Sequence, residues 1–120
     1  MIIAFDIVGP EDECSELEFF KNDIIKLKEI MTNINIYIPF YFHAGETQTN
    51  IKKSLNNVKF ALQYGNNRIA HGINVIYDDN LLQEIIEKKI LLEICPLSNV
   101  FLENIKDKYI YKKLYDRGVI

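Results

Sequence analysis

The segment IYIPFYFHAGE, residues 36–46, joins a β-rich apolar run to a polar, glycine-containing turn. Residues 36–42 predict a buried strand, and residues 47–50 offer side chains that cap helices. An apolar stripe at helical spacing follows and ends near Gly65; it consists of Ile51, Leu55, Val58 and Leu62. A strand followed directly by a helix of this length is the repeating unit of parallel α/β folds.

The same pattern occurs on the N-terminal side of this segment. The apolar run 2–8, broken only by Asp6, stops at Gly9 and Pro10 and predicts a first strand. Ser15 and Glu18 then have the spacing of a capping box, which predicts the start of an amphipathic helix. A strand-and-helix unit of the same kind is therefore predicted at the start of the chain, before the one described above.

Two further units are predicted on the C-terminal side. Residues 68–71 form a short third strand, and Asp78 and Asp79 cap the helix that follows. Residues 90–95 form a fourth strand that is closed by Pro96. A last helix over residues 107–117 ends with Gly118 in the C′ position, and residues 119–120 have the character of a fifth strand.

Four alternating units predict an α/β fold with a parallel sheet, in one domain over residues 1–120 without an internal linker. A complete (β/α)8 TIM barrel takes about 250 residues, or roughly 31 per unit. We therefore expect about four βα units, which is a partial barrel truncated at both ends. Its two unpaired sheet edges favour self-association or a complementing polypeptide.

Composition excludes several function classes. The formal net charge is −3 and the basic residues are scattered, so we expect no nucleic-acid partner. No apolar run approaches the roughly 20 residues that cross a bilayer, and we expect no membrane partner. No signal peptide is evident, and Cys14 and Cys95 lack metal-like spacing. We interpret both as free or buried thiols. The compartment is not fixed, although the cytoplasm is favoured.

Polar residues follow each predicted strand, at the end where parallel α/β folds carry their chemistry. The only two histidines, His43 and His71, are both among them. A histidine three residues before Glu46 can hold a metal while the carboxylate passes protons. Alternatively, His43 is a satisfied histidine at a strand end and Glu46 caps the next helix. Spacing alone leaves both interpretations open.

Four motifs, in order, resemble those of adenosine deaminases of the metal-dependent hydrolase superfamily. They are FDIVGPED at 5–12, HAGE at 43–46, RIAHG at 68–72 and LEICPLSN at 92–99. The first resembles most closely the adenosine deaminase growth factor branch, whose members are often secreted. The resemblance covers essentially the whole chain, and it implies that the four strands are the fourth to seventh of the family's barrel.

The resemblance implies roles for three residues in the reaction. His43 would be a ligand of the cofactor, Zn²⁺. Glu46 would protonate the purine ring nitrogen beside the attacked carbon, and His71 would orient and help deprotonate the attacking water. Zinc suits this chemistry because it lowers the pKa of the water it binds to about 7.

The resemblance also implies a purine nucleoside, adenosine, as the bound partner. Gly9 would present its backbone to the purine edge, while Asp6 and Glu11 would line or brace the pocket. Gly9 could instead be only a turn glycine, and Asp6 a buried partner of a neighbouring group. Ser98 and Asn99 are interpreted as helix caps rather than ligand contacts.

The implied function is zinc-assisted hydrolytic deamination of adenosine to inosine and ammonia in the complete domain. The family's other zinc ligands, a His-x-His pair after the first strand and an aspartate after the eighth, are absent from this sequence. We therefore expect the 120-residue chain alone to bind zinc poorly and to be inactive. The alternative is a non-catalytic relic, or a fragment that binds a purine or another protein. An AMP deaminase is disfavoured because no phosphate-binding basic cluster is visible, and adenine deaminase remains open.

Overall fold

The computed structural model of the protein describes residues 2–13, 16–102, 105–107 and 109–120. Within these residues the strands are β1 (Phe5–Ile7), β2 (Phe40–Ala44), β3 (Arg68–His71) and β4 (Leu91–Glu93). The helices are α1 (Lys21–Asn33), α2 (Ile51–Tyr64), α3 (Asp79–Glu87), α4 (Pro96–Phe101) and α5 (Ile110–Asp116). Short 3-10 helices, Leu17–Phe20 and Ile73–Tyr77, precede α1 and α3. No helix in these ranges is long and apolar enough to cross a membrane.

The four strands form one parallel sheet in the order β1-β2-β3-β4. Each strand lies beside its predecessor in sequence, and each connection carries a helix, which is the winding of a (β/α) barrel. The structure thus confirms the predicted fold class, a partial (β/α) barrel with about four units.

The two faces of the sheet differ in character. One face packs against the helices and contains the core, where Phe42, Ile69 and Val58 of α2 are fully buried. The opposite face carries polar side chains. On that face the Arg68 guanidinium lies 4.1 Å from the centre of the Tyr41 ring. Asp6 and His43 lie on this open face as well, 3.4 Å apart.

Several predicted helix ends are confirmed. The Asp78 side chain accepts a hydrogen bond of 3.0 Å from the Leu81 backbone N–H and caps α3. Asn50 caps α2 in the same way through Lys53 N–H. Gly118 follows α5 with a φ of +96°, as predicted for the C′ position. The capping box proposed at Ser15 lies outside the described residues.

Several element boundaries differ from the prediction. β1 covers Phe5–Ile7 rather than residues 2–8, and β4 covers Leu91–Glu93 rather than residues 90–95. β2 begins at Phe40 rather than Ile36, because the Ile36 N–H is taken by the Met31 carbonyl at the end of α1. α5 begins at Ile110 rather than Asp107, whose carboxylate instead accepts the Tyr109 N–H. Residues 119–120 make one sheet-like bond, from Leu92 N–H to the Ile120 carbonyl, and do not extend into a strand. α4 was not predicted.

Candidate active site

His43 lies near the carboxyl end of β2, on the open face of the sheet. Its Nε2 is 3.4 Å from the Asp6 carboxylate, which β1 presents from the neighbouring strand. The imidazole is about a quarter exposed, whereas the Asp6 side chain is half exposed. Asp6 is therefore placed to orient His43, and its contact with a substrate stays a prediction.

A turn after β2 brings Glu46 back over the sheet. Gly45 has a φ of +83°, and a Cβ there would lie 2.8 Å from Gly72 Cα. Two backbones thus meet without side chains between them, so the turns after β2 and β3 pack together. The outcome is a short contact between Glu46 Oε2 and His71 Nε2, 3.1 Å apart.

His71 ends β3 with a left-handed backbone, φ +68°. That conformation costs an ordinary residue about 1 kcal/mol, and it ends the regular alternation of the strand. The His71 ring reaches the side of the sheet that carries His43, and the two ring centroids are 5.4 Å apart. The structure thus brings His43, Glu46 and His71 together, and the roles that the resemblance implies for them stay predictions.

The protonation of His71 follows from its surroundings. Burial lowers the pKa of His71, and the neighbouring His43 lowers it further. The neutral ring carries one proton, and the Glu46 carboxylate at Nε2 assigns it to that nitrogen. Nδ1 is then an acceptor, and Asn99 Nδ2 lies 3.1 Å from it as the donor. Asn99, His71 and Glu46 form one directed chain of hydrogen bonds.

Glu11 lies beneath this site rather than in it. It is only 6% exposed, and its two oxygens accept five hydrogen bonds from the protein. Three of the donors are the backbone N–H groups of Gly45, Glu46 and Thr47. Of the two alternatives raised by the resemblance, lining or bracing the pocket, the geometry favours bracing.

Gly9 borders a cavity of about 130 Å³ that also reaches His43 and Glu11. Pockets that bury small organic ligands usually measure about 300 Å³ or more. This cavity alone therefore does not enclose a nucleoside. The proposed contact of Gly9 with a purine edge stays a prediction.

The residues that the structure describes do not make a complete zinc site. Among them, no group of three or more His, Cys, Asp or Glu side chains is placed to hold a metal ion. A catalytic zinc ordinarily takes three protein ligands. His43 can supply one imidazole, so the site fits a zinc ion only in part.

The sequence interpretation did not single out two buried asparagines, Asn57 and Asn74, and it gave Asn99 a different role. Asn74 is fully buried and bonds to the turn after β2. Asn99 was expected to cap a helix, but it lies inside α4, and Cys95 occupies the capping position. No motif marks Asn74, and the LEICPLSN motif that contains Asn99 does not indicate which group Asn99 contacts, so only the three-dimensional structure reveals their partners. Cys95 is free and exposed, whereas Cys14 lies outside the described residues.

Comparisons with known proteins agree with the motifs. The sequence model described as adenosine deaminase matches residues 1–119. An adenosine deaminase of Plasmodium gallinaceum is 45% identical over 121 residues, which is 98% of this chain and 30% of the relative. An adenosine deaminase of Lutzomyia longipalpis is 38% identical over 87% of the chain and 19% of the relative. An adenosine deaminase 2 of Dictyostelium discoideum is 33% identical over 88% of the chain and 19% of the relative. The chain thus spans less than a third of the length of these relatives.

Proposed function

This chain belongs to the adenosine deaminase family, and from that premise we propose that it supplies part of an active site that hydrolyses adenosine to inosine and ammonia. The observation that carries the proposal is the pairing of Glu46 with His71, 3.1 Å apart, beside His43. A carboxyl group, an imidazole and a candidate metal ligand at the carboxyl edge of a parallel sheet suit hydrolysis of a C–N bond.

Each of the three side chains has a distinct task in this proposal. Glu46 takes up the proton that the attacking water loses and delivers it to the purine ring nitrogen adjacent to the carbon that bears the amino group. General acid–base groups of this kind contribute roughly 10²- to 10⁴-fold to a rate. His71 orients the attacking water, and its bond to Asn99 fixes which nitrogen faces the site.

Zinc belongs to the proposal only for a complete domain. When bound, it supplies a water of lowered pKa. His43 is the one ligand that we assign to it in this chain. Because the chain spans 19% to 30% of its relatives, the full reaction is proposed for a barrel in which residues 1–120 provide the fourth to seventh strands.

A chimera tests the proposal directly. The aligned part of this chain, which is 98% of it, replaces the matching segment of the Plasmodium gallinaceum adenosine deaminase, with which it is 45% identical. We expect the chimera to bind zinc and to deaminate adenosine, followed by the change in purine absorbance. Glu46→Gln should abolish turnover while zinc content is retained, and His43→Ala should lower both.

Glu87→Gln is the matched control, because Glu87 is exposed at the end of α3 and away from the site. It should leave both zinc content and turnover unchanged. A folded, zinc-loaded chimera without activity would contradict the proposal. Undiminished activity in the Glu46→Gln chimera would contradict the role of Glu46.

The alternative function is an interaction fragment, and one observation favours it. β1 pairs only with β2 among the described strands, and Ile3 and Val8, which flank it, are 75% and 69% exposed. Unpaired strand edges beside apolar side chains promote association. Sedimentation of the chain at several concentrations tests this function. Ile3→Lys should weaken association, whereas Ile34→Lys, at the far end of α1, should not.

A further inference from the structure

We propose that Glu11 and Asn74 are positioning residues that hold the turn 43–47 from opposite sides. Glu11 binds the N–H groups of the turn, and Asn74 binds its carbonyl groups. Neither residue is assigned to the reaction itself. The inference rests on the proposed function only in that the turn carries His43 and Glu46.

The Glu11 side of this clamp uses three consecutive backbone amides. Gly45 N–H donates to Oε1 at 3.0 Å, while Glu46 N–H and Thr47 N–H donate to Oε2 at 2.9 Å each. Successive N–H groups of this kind form a concavity that binds anions. Hydrogen bonds to a carboxylate are about twice as strong as those between neutral groups. The buried charge of Glu11 is therefore satisfied by the turn that it holds.

Helix α2 fixes Glu11 from behind. Ser54 Oγ donates to Oε2 and Asn57 Nδ2 donates to Oε1, each at 3.0 Å. Both side chains are buried, so their positions are set by the packing of α2 on the sheet. The carboxylate is thus a rigid link between a helix and a loop.

Asn74 occupies the other side of the turn. Its backbone N–H donates to the Gly45 carbonyl at 2.9 Å, and its Nδ2 donates to the Thr47 carbonyl at 2.8 Å. The same Nδ2 lies 2.8 Å from Ser54 Oγ, so the two halves of the clamp meet at one hydroxyl. Asn74 is fully buried and follows β3. The turn after β2 is therefore fixed to α2 and to the β3 loop together.

All clamp contacts with the turn involve its backbone, whereas the side chains of His43 and Glu46 contact Asp6 and His71 at the site. A displacement of about 1 Å in a catalytic group can lower a rate roughly 100-fold. Loops of this length are ordinarily mobile at the surface. The buried Glu11 carboxylate accepts from three amides of the turn, and the buried Asn74 donates to two of its carbonyls, one through its backbone N–H and one through its carboxamide. Together these bonds set the position of Glu46 relative to His71.

Amide hydrogen exchange in the 120-residue chain is the first test. Glu11→Gln retains the shape of the side chain but turns one acceptor into a donor. We expect exchange at Gly45, Glu46 and Thr47 to accelerate about 10-fold or more, with the α3 amides unchanged. Glu13→Gln is the matched control, because Glu13 is exposed and lies two residues after Glu11, in the turn that follows β1. Unchanged exchange in Glu11→Gln overturns the proposal.

Asn74→Ala provides the same comparison if Glu11→Gln unfolds the chain. It removes the bonds to the Thr47 carbonyl, to Ser54 and from Gln48 Nε2, and it keeps the backbone bond to the Gly45 carbonyl. We expect faster exchange at Glu46 and Thr47, with α3 again unaffected. Protection that is equally lost across the sheet would show a general structural role and would overturn the proposal.

The kcat of the chimera, compared with its KM and zinc content, distinguishes a positioning role from a merely structural one. Glu11→Gln and Asn74→Ala should each lower kcat about 10- to 100-fold, with KM and zinc content within about 2-fold of the parent. Glu11→Asp, which keeps the charge, should recover part of the loss. A fall in kcat that only tracks zinc content overturns the proposal. An inactive chimera counts against the deaminase function, and amide exchange still decides the clamp.

Discussion

The imidazole of His71 lies 3.1 Å from the Glu46 carboxylate through Nε2, and this contact determines how the other side of the ring is used. Nε2 donates its proton to the carboxylate, so Nδ1 must accept. The Asn99 Nδ2, which lies 3.1 Å from Nδ1, is its donor. The Asn99 Oδ1 then has no hydrogen-bond partner in the part of the chain that the structure describes. The Glu46 carboxylate thus sets the tautomer of the candidate catalytic histidine, and the buried Asn99 amide donates to the nitrogen that this tautomer leaves as an acceptor.

Asn99→Asp should raise the pKa of His71. In the parent chain, burial and the nearby His43 hold that pKa below its ordinary value. A carboxylate at Nδ1 favours a proton on that nitrogen too, so the ring is stabilised as imidazolium between two acids. The His71 ring resonances followed by NMR against pH give the measurement. Asn99→Ala, which removes the contact without adding charge, is the control, and an unchanged pKa in Asn99→Asp would refute the assignment.

Gly45→Ala should destabilise the chain more than Gly118→Ala does. Both glycines have positive φ, so both variants bear a backbone cost of about 1 kcal/mol. At Gly45 the new Cβ would also lie 2.7 Å from Val58 Cγ2 and 2.8 Å from Gly72 Cα, whereas at Gly118 the nearest atom is 3.9 Å away. We expect Gly45→Ala to lower the free energy of unfolding by a further 1–3 kcal/mol, roughly the cost of overpacking. Urea denaturation measures both, and equal losses would contradict the close approach of the two turns.

Asp78→Ala should lower the free energy of unfolding by about 1 kcal/mol through loss of the α3 cap. The bond from Leu81 N–H lowers the pKa of Asp78, so the ionised cap stabilises the fold above the ordinary aspartate pKa. That contribution is lost as the pH falls through the lowered pKa of the folded state. Asp78→Asn keeps an acceptor without the charge and should lose less stability in acid than the parent. Parallel urea midpoints of the two proteins between about pH 6 and pH 3 would contradict this.

The sequence alone predicts those parts of the fold that depend on local pattern. Alternating apolar runs and helical stripes identify the four strands, and the caps at Asn50 and Asp78 fall where their side chains indicate. The N-terminal boundary of β2 could not be predicted, because the Ile36 N–H is claimed by a carbonyl of the preceding helix. Competition between a helix end and a strand is decided by geometry that apolar periodicity does not encode.

The site divides in the same way. His43, Glu46 and His71 stand in motifs at strand ends, and the parallel sheet necessarily brings such ends to one edge. Glu11 stood in a motif as well, but its chemistry depends on which donors surround it, and these come from two other elements. Asn74 carries no motif signal. Residues that react can be recognised by type and spacing, whereas residues that position them are defined by contacts between loops.

The chain alone should retain no stoichiometric zinc. His43 offers one imidazole, and in the described ranges no cluster of three metal-binding side chains accompanies it. One or two ligands bind zinc far more weakly than the three of a catalytic site. After dialysis against about 10 µM zinc and then buffer, elemental analysis should find well under one ion per chain, and His43→Ala should not change that value. The chimera should hold about one zinc and lose it on the same substitution. One tightly held zinc in the chain alone, lost in His43→Ala, would require ligands in this sequence that the resemblance does not assign.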